Sequence, residues 1–217
     1  MGTGIIQFDA KQIINEQLPA PIRSKMCAVV EQGYDLTKEA IRHTTILNWD
    51  LGMLHEGYLR NLAIAYLFHK NIELNQLPLT YTYEYNHNHS YKYLVLAYNQ
   101  MKMTLSQVAT RYDIARPAYF RDKLQMANQA TMFFSDIDDI ESIQAQHYLL
   151  LTYSRGGDAP KFVNIGFPHL WRERIDLLKE PHIIAGGNEE EKEEIVTAET
   201  LIEFRNFTKE VGILGGQ

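Results

Sequence analysis

A chain of 217 residues is long enough for one large domain or two small ones. Its content of 45% hydrophobic and 22% charged residues is close to the average for folded globular proteins and excludes a disordered chain. The formal net charge of −6 argues against a surface that is basic throughout, as in a protein that coats nucleic acid, but it leaves a local basic patch open.

The cysteine content and the N-terminus indicate the cellular compartment. Cys27 is the only cysteine, so an intramolecular disulfide and a cysteine-based zinc site are both excluded. It lies in an apolar run, residues 26–30, which predicts a buried and unreactive thiol. The N-terminus lacks a basic region followed by an apolar stretch, and no window is apolar enough for a spanning helix. We therefore expect a cytoplasmic protein that does not contact a membrane.

The N-terminal part of the chain, residues 1–72, has the pattern of helices. Apolar residues at spacings of three and four predict one helical stripe, formed by Leu51, Leu54, Tyr58, Leu62 and Ala65. Pro19 and Pro21 are expected to end a first helix, and Gly33 to interrupt the next. Two or three helices are therefore predicted in this part.

A β-hairpin is predicted at about 79–98, where the pattern changes to a period of two. Tyrosines at 81, 83 and 85 alternate with Thr80, Thr82 and Glu84, which places the tyrosines on one face of a strand. The polar residues 86–90 supply a turn before a second apolar run. The two histidines in this turn are interpreted as exposed turn residues rather than as metal ligands.

The remaining elements complete an α+β fold. A helix is predicted from Pro117, strands at 147–153 and 162–167, and a C-terminal helix at 197–211. Because helices gather at the ends of the chain and strands in the middle, we expect a central antiparallel sheet rather than a parallel one. The whole chain, 1–217, is interpreted as one domain whose sheet-containing part is 79–211.

The segment at 104–124 resembles a helix-turn-helix DNA-binding unit. Thr104 and Gln107 match a capping box at the start of a first helix, and a second helix would begin near Arg116 or Pro117. The resemblance implies that this second helix enters the major groove of DNA. The side chains expected to contact DNA are Arg111, Arg116, Tyr119 and Arg121.

The same residues permit another interpretation, because short helix and strand patterns are easily confused. In it, residues 101–108 form a third strand and residues 118–128 a helix packed on the sheet, with Arg116 and Arg121 as surface charges. The backbone of residues 101–108 distinguishes the two interpretations.

Three functions follow as hypotheses. The first is a regulatory or interaction protein, without catalytic activity or cofactor, that contacts DNA or a protein partner and forms a homodimer. The second is a metal-dependent nuclease or another hydrolase, which would use Glu56 and Glu84 to hold a divalent cation near Lys92 and Lys102. The third is a structural module that binds a partner through the tyrosine-rich hairpin, since tyrosine is enriched at interfaces.

Overall fold

The protein is described by a computed structural model that covers residues 9–130 and 147–180, together with Ile202, Glu203 and Asn206. It has the predicted α+β class, with four N-terminal helices followed by a six-stranded sheet. None of the described helices is both long and apolar enough to cross a membrane.

The helices form in two places along the chain. The N-terminal helices are α1 (Ala10–Gln17), α2 (Ala20–Arg42), α3 (Asp50–Met53) and α4 (Glu56–Glu73), and α5 (Tyr119–Ala130) follows the third strand. Asp9 caps α1 through a hydrogen bond from the Gln12 backbone N–H. Pro19 separates α1 from α2 as predicted, and Pro21 is accommodated in the first turn of α2, where its missing N–H is not needed.

The strands follow the chain in simple order across the sheet. They are β1 (Thr80–Tyr85), β2 (Lys92–Tyr98), β3 (Met101–Val108), β4 (His147–Ser154), β5 (Val163–Gly166) and β6 (Ile175–Asp176). Two short 3-10 helices flank the last strand, at Pro168–Glu173 and Leu177–Lys179. The predicted hairpin is confirmed as β1 and β2, and the predicted strands after residue 147 are confirmed as β4 and β5.

The prediction of an antiparallel sheet is wrong for one pair of strands, because β3 and β4 run parallel. All eight residues of β3 pair in register with β4, from Met101 opposite His147 to Val108 opposite Ser154. The connection through residues 109–146, which includes α5, is long enough to return the chain to the same end of the sheet, as a parallel pair requires. The sheet is therefore mixed.

The helix-turn-helix prediction is also wrong, because residues 101–108 form a strand. The expected first helix would be short and isolated, and such helices are marginal in water. As a strand, the same residues gain two ladders of backbone hydrogen bonds and bury Met101, Met103, Thr104 and Val108. The alternative interpretation, a third strand followed by a helix on the sheet, is confirmed.

The two faces of the sheet pack against different helices. Tyr81 and Tyr83 of β1 contact His69 of α4, with ring centroids 4.8 and 6.3 Å from the histidine. On the opposite face, Phe120 of α5 stacks on Tyr93 of β2 at a centroid distance of 3.9 Å. The predicted sharing of one face by Tyr81 and Tyr83 is therefore confirmed, and the main core lies between that face and helices α1, α2 and α4.

Gly33 does not interrupt α2, contrary to the prediction, because it has a packing role. A Cβ atom at this position would lie 2.3 Å from Cγ1 of Ile64 and 3.2 Å from its Cα. Helix α2 continues through Gly33 because the absence of a side chain lets α4 approach its backbone closely. This contact joins the two longest helices of the N-terminal layer.

The predicted C-terminal helix at 197–211 lies outside the described residues except for three positions. Of these, Glu203 contacts α4: its carboxylate accepts hydrogen bonds from the Tyr66 hydroxyl at 2.9 Å and from Lys70 Nζ at 2.7 Å. Residues 189–194, of which five are glutamate and one is lysine, also lie outside the described residues.

Substitution of Gly33 by alanine is expected to lower the free energy of unfolding by up to about 2 kcal/mol. The overpacking cost of about 1–3 kcal/mol against Ile64 exceeds the gain of about 1 kcal/mol from helix propensity. Gly57→Ala is the matched control, because a Cβ there would meet only the flexible end of Gln107, at 3.0 Å. Urea unfolding should show a loss for Gly33→Ala alone; stabilisation of both variants would contradict the packing role.

The Cys27 thiol is expected to be inert in the folded protein. Burial, followed by the nearby charges of Glu31, Asp176 and Glu180, raises its pKa to about 12, so almost no thiolate forms at neutral pH. An Ellman assay at pH 8 should show negligible labelling of the native protein and one reactive thiol after denaturation. Rapid labelling without denaturant would disprove the buried position.

Candidate functional site

A cleft of about 990 Å³ opens where β3 and β4 end. Because these strands are parallel, their carboxyl ends meet at one edge of the sheet, the position at which open α/β sheets commonly bind ligands. A hydrogen bond of 2.8 Å from the Arg155 N–H to the Val108 carbonyl extends the pairing into the loop after β4. The first turns of α4, the start of β2 and the start of α5 form the other walls.

Arg60 of α4 lies at the wall of this cleft, although it is only 2% exposed. Its guanidinium lies 4.3 Å from the centroid of the Tyr34 ring and forms an ion pair with Glu56, one helical turn earlier. Arg60 Nη2 also donates to the Gly157 carbonyl at 3.2 Å. These contacts fix the loop after β4, in which Gly156 and Gly157 have the positive φ values that favour glycine.

The same region is held by buried tyrosine hydroxyls. Tyr34 donates to the Ser154 carbonyl at the end of β4, and Tyr153 donates to Asn61 Oδ1 of α4. Burial raises the pKa of both phenols, so both remain protonated donors at neutral pH. The floor of the cleft is therefore tied to α2 and α4 by hydrogen bonds as well as by packing.

Arg121 lies at the opposite wall, near the start of α5. Its Nη1 donates to the Arg116 carbonyl at 2.6 Å, and its guanidinium lies 4.7 Å from the centroid of the Phe120 ring. Burial lowers the Arg121 pKa, while a hydrogen bond with Tyr148 acts in the opposite direction. Arginine stays charged at neutral pH in either case. The cleft thus holds a partly desolvated positive charge at this wall.

Three buried N–H groups of the cleft-lining residues have no acceptor in the part of the chain that the structure describes. They are Arg60 Nε, Gln107 Nε2 and Arg121 Nε. Leaving a buried donor without a partner costs about 1–3 kcal/mol, and more when the group is charged. All three lack an acceptor at the wall of the cleft among the described residues.

The cleft is lined by more positive than negative side chains, whereas the net charge of the whole chain is negative. Its lining contains Arg60, Arg116, Arg121 and Arg155 but only two carboxylates, Glu56 and Asp113. The chain has a net charge of −6. One of the two carboxylates is already paired with Arg60, so the cleft is a local positive site on an acidic protein.

The structure brings together two of the four residues predicted to contact DNA. Arg116 and Arg121 both line the cleft, whereas Arg111 and Tyr119 lie outside its lining. The Arg111 carbonyl accepts a hydrogen bond of 3.0 Å from Asn164 Nδ2, which anchors the loop before α5. The Tyr119 ring is 65% exposed and lies 4.9 Å from the His87 ring of the β1–β2 turn.

The helix after β3 begins later than predicted, so Arg116 and Tyr119 do not share a helical face. Helix α5 begins at Tyr119, so Arg116 precedes it. The physical reason is Pro117, which disfavours the helical backbone at the residue before it. Thr104 does not form the predicted capping box with Gln107 either, because its hydroxyl shares a 2.6 Å hydrogen bond with the Tyr148 hydroxyl across β3 and β4.

The carboxylates of the hydrolase hypothesis lie on different elements and have different partners. Glu56 belongs to α4 and lines the cleft, whereas Glu84 pairs across strands with Tyr93, on the face covered by α5. Glu84 accepts a hydrogen bond of 2.9 Å from the Tyr93 hydroxyl. Within residues 9–130 and 147–180, no three His, Cys, Asp or Glu side chains are grouped so that they could hold a metal ion.

Sequence reasoning missed Arg60, Gln107 and Arg155. Arg60 had a usable signal, because it precedes Ala63, Ile64 and Leu67 at helical spacing on the buried face of α4. The predicted stripe is wrong at Leu51, Leu54 and Tyr58, which are 57%, 77% and 52% exposed. The break between α3 and α4 separates Leu51 and Leu54 from the phase of α4, whereas Tyr58 lies within α4 and lines the cleft.

Comparison with known proteins found no matching family model, no similar curated protein and no similar solved structure.

Glu56→Gln is expected to lower the free energy of unfolding more than Glu39→Gln, because Glu56 pairs with the buried Arg60. Glu56→Gln leaves the buried Arg60 without its countercharge and removes a negative charge from the first turn of α4, for a loss of about 1 kcal/mol. The control is Glu39→Gln, because Glu39 pairs only with the exposed Arg42 and His43.

Urea unfolding at neutral pH measures both variants. Glu39→Gln should change the free energy of unfolding by less than about 0.5 kcal/mol, as is usual for surface pairs. Equal losses in the two variants would mean that the Arg60 pair does not support the wall of the cleft.

Proposed function

We propose that this protein binds nucleic acid by holding backbone phosphates in the cleft at the ends of β3 and β4. The observation that carries the proposal is that four arginines line this cleft, two of them exposed, namely Arg60, Arg116, Arg121 and Arg155. Phosphate oxygens are strong acceptors, and arginine is the side chain best suited to bind them. The protein acts as a binding protein, without a catalytic step.

The distribution of charge supports a phosphate ligand over a neutral one. Arg116 and Arg155 are exposed at the mouth of the cleft, while Arg60 and Arg121 lie deeper. An approaching polyanion meets the two exposed arginines first and then the desolvated charges, where electrostatic interactions are stronger. The overall negative charge of the chain repels nucleic acid elsewhere and so favours binding at this site.

The location of the cleft supports a preformed site. Its floor is built from the ends of two parallel strands, and Tyr34, Arg60 and Tyr153 cross-link that floor to the helices. A site held by buried hydrogen bonds loses little conformational entropy when it binds. We further propose a cytoplasmic location and binding as a homodimer, both of which are expectations from the sequence.

Binding of a labelled DNA that has a duplex part and a single-stranded overhang tests the proposal. Fluorescence anisotropy should show affinity that falls with salt, with a slope of about −0.7 to −0.9 for each phosphate contact. Arg116→Ala and Arg155→Ala should each weaken binding of all sequences and reduce the magnitude of the salt slope by about 1.

Arg42→Ala is the matched control, because Arg42 is an exposed arginine at the end of α2 that does not line the cleft. It should bind like the wild type, and all three variants should keep the wild-type melting temperature. Equal loss of affinity in all three would indicate nonspecific attraction, and no binding at low salt would remove the proposal. Cleavage of the DNA on addition of Mg²⁺ would favour the hydrolase hypothesis instead.

A further inference from the structure

We propose that the nucleic acid held in the cleft is a single strand, whose bases stack on Tyr58 and Tyr91. This inference rests on the proposed function and names the form of nucleic acid that the cleft accepts. It depends on the depth of the donors, the shape of the surface and the placement of the exposed aromatic rings.

The donors lie too deep for a duplex. Arg60 is 2% exposed, and the Nε atoms of Arg60 and Arg121 are buried. Proteins that read duplex DNA insert a projecting helix or ribbon into a groove about 12 Å wide. Here the surface is concave, and its volume of about 990 Å³ is near the upper end of the range that holds a ligand of drug size. A few nucleotides of one strand fit such a cleft.

The aromatic rings at the cleft supply surfaces for bases. Tyr58 of α4 and Tyr91 at the start of β2 both line the cleft, and their side chains are 52% and 45% exposed. Their hydroxyls lie close enough that Tyr58, in addition to burial, raises the pKa of Tyr91, whereas Arg121 lowers it. Two exposed tyrosines and an arginine therefore lie in the same lining, near enough to influence one another electrostatically.

This combination matches the way in which proteins bind unpaired strands. Such proteins place aromatic faces beside a positive groove, so that bases stack while phosphates meet cations. In a duplex the base faces are already stacked on one another and are inaccessible to Tyr58 and Tyr91. Inside the cleft, the Phe120 ring stacks on Tyr93 and also contacts the Arg121 guanidinium.

The test compares a fluorescein-labelled oligo(dT) of about 12 nucleotides with a blunt duplex of the same length and label. At low salt, the wild-type protein should bind the single strand at least about tenfold more tightly. Tyr58→Ala and Tyr91→Ala should each weaken that binding by about fivefold to 150-fold, the range given by 1–3 kcal/mol per stacked base. Tyr91→Phe should restore affinity, because stacking needs the ring and not the hydroxyl.

Tyr85→Ala is the matched control, because Tyr85 is a 48% exposed tyrosine on the same hairpin that does not line the cleft. It should bind oligo(dT) like the wild type. Thermal melting of every variant verifies that the exposed substitutions leave the fold intact.

The outcomes separate this inference from the proposed function. Equal or tighter binding of the duplex, still dependent on Arg116 and Arg155, would overturn the single-strand inference and leave phosphate binding in place. Unchanged oligo(dT) affinity in both tyrosine variants would overturn base stacking. Binding of neither DNA at low salt would remove the proposed function and this inference together.

Discussion

The parallel pairing of β3 with β4 determines the position of every other part of the site. It brings two carboxyl ends, at Val108 and Ser154, to the same edge of the sheet. The loops that leave these ends carry Arg116 and Arg155, and the α5 crossover that makes the pairing possible carries Arg121. An antiparallel pair would place the end of one strand beside the start of the other, and the arginines would not meet.

Arg60 connects this sheet edge to the helical layer. Its burial is costly unless its donors are satisfied, and the protein supplies an ion pair, a carbonyl and an aromatic face. The Arg60 Nε–H group has no acceptor among the described residues, and Arg60 lines the cleft. Arg60 therefore joins the wall of the cleft to the helical layer while its charge stays buried and paired at a core position of α4.

Local patterns were sufficient to predict the hairpin and the later strands, because period-two alternation is visible within a few residues. The direction of β4 was not predictable in this way, since each of its residues pairs with a β3 residue 46 positions earlier, as His147 does with Met101. The state of residues 101–108 was not predictable either, because short helix and strand patterns are easily confused. For the candidate site, the sequence identified Arg116 and Arg121 as cations near each other. It did not identify Arg60, Gln107 or Arg155, because only the tertiary pairing brings these residues to one cleft.

The close contact of Gly33 with Ile64 has a consequence for the order of folding. Helices α2 and α4 are joined by a short connection, so their pairing closes a small loop at low entropic cost. The β3–β4 ladder must close a much longer one and belongs to the slow class of parallel pairings. We therefore expect the helical pair to assemble early, and the sheet edge that forms the cleft to assemble late.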